Sequence, residues 1–240
     1  MSQTTQLQHL AIILDGNRRW AKANGMLEAN VYERAGQNIG DVLEAAFDQG
    51  ISCVSLWIGS YANLVSRSKV LVRALDKLYG KKFIELATHP TVLAKKVKIE
   101  IIGEWRNLLS KATLAAAQNA IDSTAKNTGP TLTILVGYDG VRERGAAVQS
   151  LLAKPVSAPS DLVEADTLLR SYSWSGHLPN VDLIIRTGVW QDPHNSAGFL
   201  SFLTTDSQFS FPTVLWPDFT PAMLHDICDD FAGRERRMGK

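Results

Sequence analysis

The stretch LAIILDGNRRWAK, residues 10–22, places an acid and two arginines directly after an apolar run. Asp15 can offer a carboxylate oxygen to Mg²⁺. The backbone N–H groups of Gly16, Asn17, Arg18 and Arg19 can bind phosphate oxygens if a helix begins there, and Arg19 adds a charge-assisted hydrogen bond. The stretch matches neither the GxxxxGK[ST] nor the GxGxxG nucleotide-binding pattern. A solvated turn with a helix N-cap is the alternative interpretation of the same residues.

These residues must be positioned by a strand and a helix. The rest of the chain alternates short apolar runs with helical patterns. Buried strands are predicted at residues 9–14, 52–59, 97–103, 131–137 and 181–187, with a weaker sixth at 210–216. Helical spacing covers residues 40–50, 69–87, 107–127 and 140–154. The alternation predicts a single α/β domain over residues 1–240, with a mostly parallel sheet flanked by helices. Ligands of such sheets bind beyond the carboxyl ends of strands, which is where Asp15 falls.

Composition excludes several classes of protein. The formal net charge is +1, so bulk electrostatics predict neither a nucleic acid nor an anionic membrane as partner. The two cysteines, Cys53 and Cys228, have no zinc-binding or disulfide spacing and fit a reducing compartment. The N-terminal segment has no signal-peptide pattern, and no apolar run is long enough to cross a bilayer. We therefore expect a cytoplasmic protein without an integral membrane segment.

The motifs of the chain resemble those of the cis-prenyltransferases, the family of undecaprenyl diphosphate synthase. HLAIILDGNRRWAK matches the first family signature, and the likeness returns at QGISCVSLWIGSYAN, NTGPTLTILVGYDG, LPNVDLIIRTG, VLWPDF and RERRMG. The resemblance implies a parallel six-stranded sheet with flanking helices, an apolar tunnel, a homodimer, prenyl diphosphate substrates and Mg²⁺. Asp15 matches the family's essential aspartate at the metal and diphosphate site, and Asn17, Arg19 and Trp20 match its companions. A metal, backbone donors and arginine would neutralise the charge of a departing diphosphate.

Departures from the family pattern are more informative than the matches. An arginine and a histidine of the family fall on Glu28 and Tyr32, so a phosphate-binding cation is replaced by an anion. In SYANLVSRS, Ser60 and Asn63 are kept, while the family's glutamate, tryptophan and arginine are replaced and Arg67 lies one residue late.

The second half of the family site is changed further. IRTGVWQDPHNSAGFLSFL keeps Arg186 and Thr187, but the loop after them, residues 188–201, contains no arginine. Family members that elongate chains bind isopentenyl diphosphate with an arginine and a serine from this loop. A family glutamate that helps to bind Mg²⁺ falls on Gln208, which has no anionic oxygen to offer.

These changes resemble the irregular, lavandulyl-type branch of the family, which joins two allylic diphosphates head-to-middle. The resemblance implies that dimethylallyl diphosphate is condensed with geranyl diphosphate or with itself. Asp15 would be catalytic and bind the metal. Ser60 and Asn63 would relay the proton that the product cation loses. The expected diphosphate-binding residues are Gly16, Asn17, Arg18, Arg19, Trp20, Arg67, Arg186 and Thr187.

Three alternatives remain open at the level of the sequence. The first is a short-chain head-to-tail synthase that uses isopentenyl diphosphate, for which Arg186 and Arg67 would serve. The second is transfer of the prenyl group to an acceptor that is not a prenyl diphosphate. The third is a non-catalytic partner subunit, although such subunits typically lack the aspartate that Asp15 preserves.

Trp20, Trp216 and His9 are also explained by packing or structural hydrogen bonding. In the family, the basic tail at residues 233–240 lies near the dimer interface.

Overall fold

A computed structural model describes residues 6–234 and contains one six-stranded sheet. The strands are β1 (His9–Ile13), β2 (Cys53–Ser60), β3 (Lys98–Ile102), β4 (Thr131–Tyr138), β5 (Leu183–Arg186) and β6 (Gln208–Ser210). Their order across the sheet is β3-β4-β2-β1-β5-β6, and every pair is parallel. The predicted α/β class with a parallel sheet is confirmed. In this order the central strands β2, β1 and β5 bring their carboxyl ends together.

Strands β1, β2, β4 and β5 are mostly apolar and buried because both faces of the sheet are covered there. Every residue of β1 is buried, and alternate side chains enter different clusters. Leu10 and Ile12 join the larger core formed with the helices, and Ala11 and Ile13 join a second core that includes Phe199. His9 is buried and hydrogen-bonded through both ring nitrogens, so the expectation of a structural histidine is confirmed.

The helices connect the strands and supply the core on one face. They are α1 (Asn17–Ala23), α2 (Glu28–Asp48), α3 (Tyr61–Ser66), α4 (Lys69–Ala87), α5 (Pro90–Ala94), α6 (Trp105–Leu108), α7 (Lys111–Thr124), α8 (Gly140–Leu152), α9 (Leu162–Ser171) and α10 (Pro221–Gly233), with a 3₁₀ turn at Trp216–Asp218. The predicted helix at 69–87 coincides with α4. The helix predicted to close on Gly50 is the second half of α2, and Gly50 has the left-handed φ of +80° that suits a residue after a helix end.

Two predicted elements differ from the structure. The sixth strand lies at Gln208–Ser210 and not at 210–216, because residues 211–215 contain Pro212 and lead directly into the 3₁₀ turn. The helix predicted at 107–127 is two helices, since Ser110 breaks the run and caps α7 by accepting a hydrogen bond from the Thr113 N–H. Within residues 6–234, no helix combines the length and apolar character needed to cross a membrane.

Candidate functional site

The carboxyl ends of the central strands surround a cavity of about 860 Å³, which we call the polar cavity. Asp15 follows β1, Ser60 ends β2, Asp139 follows β4 and Arg186 ends β5, and all four line this cavity. Parallel strands place their carboxyl ends at one edge of the sheet, so residues far apart in the chain meet there. The strand ends at which the site was predicted therefore line a cavity of this size.

Asp15 is the centre of the hydrogen bonding in the polar cavity. Its Oδ1 accepts hydrogen bonds from the Gly16 N–H at 2.6 Å and from Arg19 Nη2 at 3.4 Å. Its Oδ2 accepts from Arg186 Nη2 at 3.0 Å. The Asp15 carbonyl accepts from Thr187 Oγ1 at 2.7 Å and from the Trp216 N–H at 3.0 Å. These bonds hold one carboxylate between two arginines that come from opposite ends of the chain.

Gly16 makes the turn from β1 into α1. Its φ is +103°, and a Cβ there would lie 2.7 Å from Cδ2 of Leu215, so a side chain is excluded for two reasons. The first intrahelical bond of α1 runs from the Trp20 N–H to the Gly16 carbonyl. The N–H groups of Asn17, Arg18 and Arg19 belong to the first turn and have no partner within the helix. All three residues line the polar cavity.

Ser60 and Asn63 line the same cavity from the end of β2 and the start of α3. Ser60 Oγ accepts a hydrogen bond from the Asn63 N–H at 3.0 Å and so caps α3. The serine hydroxyl keeps its proton for a second hydrogen bond. We call residues 15–19, Ser60 and Asn63 the first-strand half of the site.

Glu28 and Tyr32, which replace two family cations, both contact arginines of the cavity. Glu28 Oε1 accepts from Arg18 Nε at 3.1 Å, and the Tyr32 hydroxyl accepts from Arg67 Nη1 at 2.8 Å. The two residues lie one turn apart on α2 and therefore share a face. Burial, opposed by the nearby Arg67, raises the pKa of Tyr32, so its hydroxyl is neutral near pH 7.

Arg186 and the loop of residues 188–201 form the other part of the site, which we call the fifth-strand half. Arg186 is buried, and its Nη1 donates to the His194 carbonyl at 3.1 Å. Of the loop, Ser196 and Ala197 line the cavity, and Ala197 has a left-handed φ of 45°. A Cβ on Gly188 would lie 2.7 Å from Arg19 Nη2, so the loop starts against the first-strand half.

Several residues predicted for the site lie outside the polar cavity. Trp20 is buried, and its indole N–H donates to Asp218 Oδ2 at 2.6 Å, as expected for a packing residue. Thr187 is also buried, where it holds the Asp15 carbonyl. Gln208 lies on β6, and its side-chain oxygen accepts from Arg234 Nη1 at 3.0 Å. Of the basic tail predicted at residues 233–240, residues 235–240 lie outside the described part of the chain, and Arg234 pairs with Asp230 of α10.

Cavity residues that were not singled out from the sequence include Lys22, Trp57, Tyr79 and Asp139. Asp139 directly follows β4, so the rule that ligands bind at strand ends could have identified it. The buried side-chain atoms without a hydrogen-bond partner within residues 6–234 are Asn17 Oδ1, Trp57 Nε1, Arg67 Nε, Thr133 Oγ1 and Arg186 Nε. All of these residues except Thr133 line the polar cavity. Unpaired polar atoms concentrated at one cavity indicate a site where a ligand binds.

A second cavity of about 290 Å³, the apolar cavity, lies between α2, α4 and the sheet. Its wall includes Leu43, Phe47 and Phe83. Ile58 and Tyr79 line both cavities, and the Tyr79 hydroxyl donates to the Ile58 carbonyl at 2.8 Å. Tyr79 therefore lies between the polar cavity and the apolar cavity.

Comparisons with known proteins identify relatives of the chain. The sequence model of the family described as "Putative undecaprenyl diphosphate synthase" matches residues 13–239. An isoprenyl transferase of Deinococcus radiodurans is 32% identical over 238 residues, covering 97% of this chain and 85% of that protein. A tritrans,polycis-undecaprenyl-diphosphate synthase (geranylgeranyl-diphosphate specific) of Pyrococcus horikoshii is 31% identical, with 97% and 87% covered.

Two solved structures share the fold. Lavandulyl diphosphate synthase from Lavandula x intermedia, in complex with dimethylallyl diphosphate, superposes with a TM-score of 0.86 at 26% identity, covering 97% of this chain and 98% of that chain. A probable undecaprenyl diphosphate synthase of Campylobacter jejuni, at 21% identity and a TM-score of 0.77, covers 98% and 100% and supports the fold alone.

The parallel α/β fold and a cavity lined by arginines and first-turn helix N–H groups suit an enzyme that binds phosphate. The chain belongs to the undecaprenyl diphosphate synthase family of cis-prenyltransferases and is a prenyltransferase.

Proposed function

We propose that this prenyltransferase condenses two allylic diphosphates head-to-middle and releases a branched, lavandulyl-type prenyl diphosphate. The observation that carries the proposal is the composition of the fifth-strand half. Arg186 supplies the positive charge of this half, and its Nη2 already donates a hydrogen bond to Asp15. The loop that follows lines the cavity with Ser196 and Ala197 and adds no arginine. The similarity to lavandulyl diphosphate synthase supports the same conclusion.

The reaction divides between the two halves of the site. The C1–O bond of the donor breaks, and its diphosphate leaves toward Arg18, Arg19 and the first-turn N–H groups of α1, which stabilise the developing charge. The internal carbon of the acceptor double bond forms a new bond to donor C1. Positive charge then lies on the neighbouring tertiary carbon of the acceptor, and a proton lost from an adjacent carbon restores a double bond. We favour geranyl diphosphate as the donor and dimethylallyl diphosphate as the acceptor.

Ser60 and Asn63 are proposed to relay that proton to the departing diphosphate. Both line the cavity beside Asp15, and the Ser60 hydroxyl retains a proton that it can pass on. Ser60→Ala also removes a helix cap, so Ser110→Ala, which removes the cap of α7 outside the cavity, is the matched control. We expect kcat to fall about 10- to 100-fold in Ser60→Ala and to stay unchanged in Ser110→Ala, at similar losses of thermal stability. Unchanged turnover in both Ser60→Ala and Asn63→Ala would show the relay assignment to be wrong.

Mg²⁺ fits the donor set at Asp15. Oδ1 accepts two hydrogen bonds and Oδ2 accepts one, so Oδ2 keeps a lone pair for a metal ion, and Asp15 lines the cavity. Within residues 6–234, no group of three or more metal-binding side chains is present. A Mg²⁺ ion that keeps several waters and binds one carboxylate with substrate phosphate oxygens needs no such group. When bound, the ion would neutralise charge on the leaving diphosphate.

A homodimer is part of the proposal. The exposed apolar residues Val141, Val148 and Leu152 follow one another along α8 at helical spacing, and Leu162 and Val163 of α9 are also exposed. A second copy of the chain would cover this face. Sedimentation of the wild type and of a Val148→Glu, Leu152→Glu variant tests this, with dimer expected for the first and monomer for the second. An unchanged dimer would place the interface elsewhere.

A product assay tests the proposed reaction. Purified protein with Mg²⁺ is given dimethylallyl diphosphate alone, dimethylallyl with geranyl diphosphate, or geranyl with isopentenyl diphosphate. The products are dephosphorylated and compared with linear and branched standards by mass spectrometry. We expect branched alcohols from the first two mixtures. A linear product that forms only in the third mixture would establish the head-to-tail alternative.

A further inference from the structure

Trp57 differs from the other buried tryptophans of this protein in its hydrogen bonding. Trp20, Trp105 and Trp216 each donate an indole hydrogen bond, to Asp218, the Ile101 carbonyl and the Ala35 carbonyl. Trp57 is as buried as Trp20, at 8% exposure, yet its Nε1 has no partner within the described residues. An unpaired buried donor is unfavourable, and phenylalanine would offer an aromatic ring at this position without one. The structural role of Trp57 does not explain why it is tryptophan.

Trp57 lines the polar cavity together with Asp15 and Arg186. In the sheet register Ile13 pairs with both Trp57 and Arg186, so the three side chains form one row on the same face. With strands about 4.8 Å apart, roughly 10 Å separates the Trp57 and Arg186 backbones. A prenyl group whose diphosphate is bound near Arg186 would lie over Ile13 and against the Trp57 ring.

The ring is also held in a fixed orientation. Phe199 stacks on it with centroids 5.2 Å apart and an interplanar angle of 10°. Tyr138 meets it edge-on at 6.0 Å and 89°. The Tyr138 hydroxyl donates to the buried Glu143 and accepts from the Leu200 N–H at 3.0 Å, which fixes Tyr138 and the loop together. Trp57 lines the polar cavity and Phe199 does not. Phe199 therefore packs against the Trp57 ring from the side away from the cavity.

We propose that Trp57 is a catalytic residue whose indole face stabilises the tertiary cation formed on the acceptor. Indole is the aromatic side chain that attracts cations most strongly, and the attraction is largest where water is excluded. The cation appears when donor C1 bonds to the acceptor and disappears when the adjacent proton leaves, so the ring acts on the transition state and does not change covalently. This role rests on the proposed condensation of prenyl diphosphates.

Fluorinated tryptophans placed at position 57 of the full-length enzyme test the assignment. Successive fluorine atoms weaken the negative face of the ring while nearly preserving its size. We expect log kcat to fall steadily with the number of fluorines, over a total of roughly 3- to 30-fold, with KM for both substrates unchanged. A flat series would overturn the assignment.

Trp57→Phe separates a catalytic from a structural role. The variant loses the unpaired donor, so its Tm should equal or exceed that of the wild type while kcat falls several-fold. Trp105→Phe is the matched control, since Trp105 is buried outside the cavity and uses its indole N–H on Ile101. We expect that variant to lose stability and keep kcat. A Trp57→Phe enzyme with wild-type kcat, or with lower Tm as its only change, would also overturn the assignment.

The assay distinguishes failure of this inference from failure of the proposed function. A wild type that makes linear chains would refute the head-to-middle reaction, yet the fluorine series would still decide the role of Trp57, because that condensation also forms a tertiary cation on the acceptor. A wild type that converts no prenyl diphosphate would refute both.

Discussion

The first-strand half and the fifth-strand half of the site are built in different ways. The first is contiguous: Asp15 to Arg19 follow one strand, and Gly16 permits the turn that exposes the first N–H groups of α1. The second has one buried arginine and a loop in which Ala197 and Leu200 have left-handed backbone conformations. The Leu200 N–H donates to the Tyr138 hydroxyl, which holds this loop against β4. Arg186 joins the halves through Asp15. Under the proposed reaction, this difference assigns departure of the diphosphate mainly to the first-strand half and choice of the nucleophile mainly to the fifth-strand half.

Asp15→Asn should have the largest effect on activity, because residues of both halves of the site bind its carboxylate. The variant loses the anion that holds Arg19 and Arg186 and that would bind the metal. We expect kcat to fall about 100- to 1,000-fold with the fold retained, measured by steady-state product formation and circular dichroism.

Asp218→Asn is the control for that change. Asp218 accepts hydrogen bonds from Trp20 and Arg34 outside the cavity, so the same chemical change should lower Tm and leave kcat near wild type. An Asp15→Asn enzyme that keeps a third of its activity would contradict the assignment of Asp15.

Tyr79→Ala should open the polar cavity, beside the first-strand half, into the apolar cavity. Gly59 lets the ring approach β2 closely, since a Cβ at Gly59 would lie 2.9 Å from the Tyr79 hydroxyl. Without the ring, the two cavities join along Ile58. We expect kcat/KM for farnesyl diphosphate as donor to rise about 10-fold relative to geranyl diphosphate, measured by competition between the two.

Phe83→Ala is matched to Tyr79→Ala in size and lies one turn further along α4. It lines the apolar cavity and leaves Tyr79 in place, so it should cost stability without changing donor preference. Equal donor preference in all three enzymes would show that Tyr79 does not limit the donor chain.

Glu28→Gln should produce the smallest effect. The ion pair of Glu28 with Arg18 is largely solvent-exposed, and such pairs contribute little free energy. Removing the anion frees Arg18, so we expect inorganic diphosphate to bind about 3-fold more tightly at low salt, measured by calorimetry. Glu33→Gln, which loses the pair with Lys81 outside the polar cavity, should change nothing. Weaker binding in Glu28→Gln would mean that Glu28 positions Arg18 and does not compete for it.

The fold could be predicted where burial decides it. Strands covered on both faces are continuous apolar runs, which is why β1 to β5 were found within one or two residues. The sixth strand was misplaced because β6 is short and half-buried, so Gln208 to Ser210 show no apolar run. α9 and α10 were not singled out as helices.

The site could be predicted where its residues are neighbours in the chain. Asp15 to Arg19 were found because one strand end carries all of them. The contacts of Glu28 with Arg18 and of Tyr32 with Arg67 depend on how α2 packs beside α1 and α3, which no local pattern shows. The isolation of the Trp57 indole N–H is likewise a tertiary property, since local spacing cannot show which donors find a partner.

The central claim, that the fifth-strand half selects an allylic acceptor, is tested most directly by letting two acceptors compete for the same donor. Enzyme with Mg²⁺ and geranyl diphosphate is given equal amounts of deuterated dimethylallyl diphosphate and unlabelled isopentenyl diphosphate, and the ratio of branched, labelled product to linear, unlabelled product is measured. We predict that the branched, labelled product dominates, because the fifth-strand half lacks a second arginine for isopentenyl diphosphate. A product mixture dominated by the linear, unlabelled chain would contradict the account.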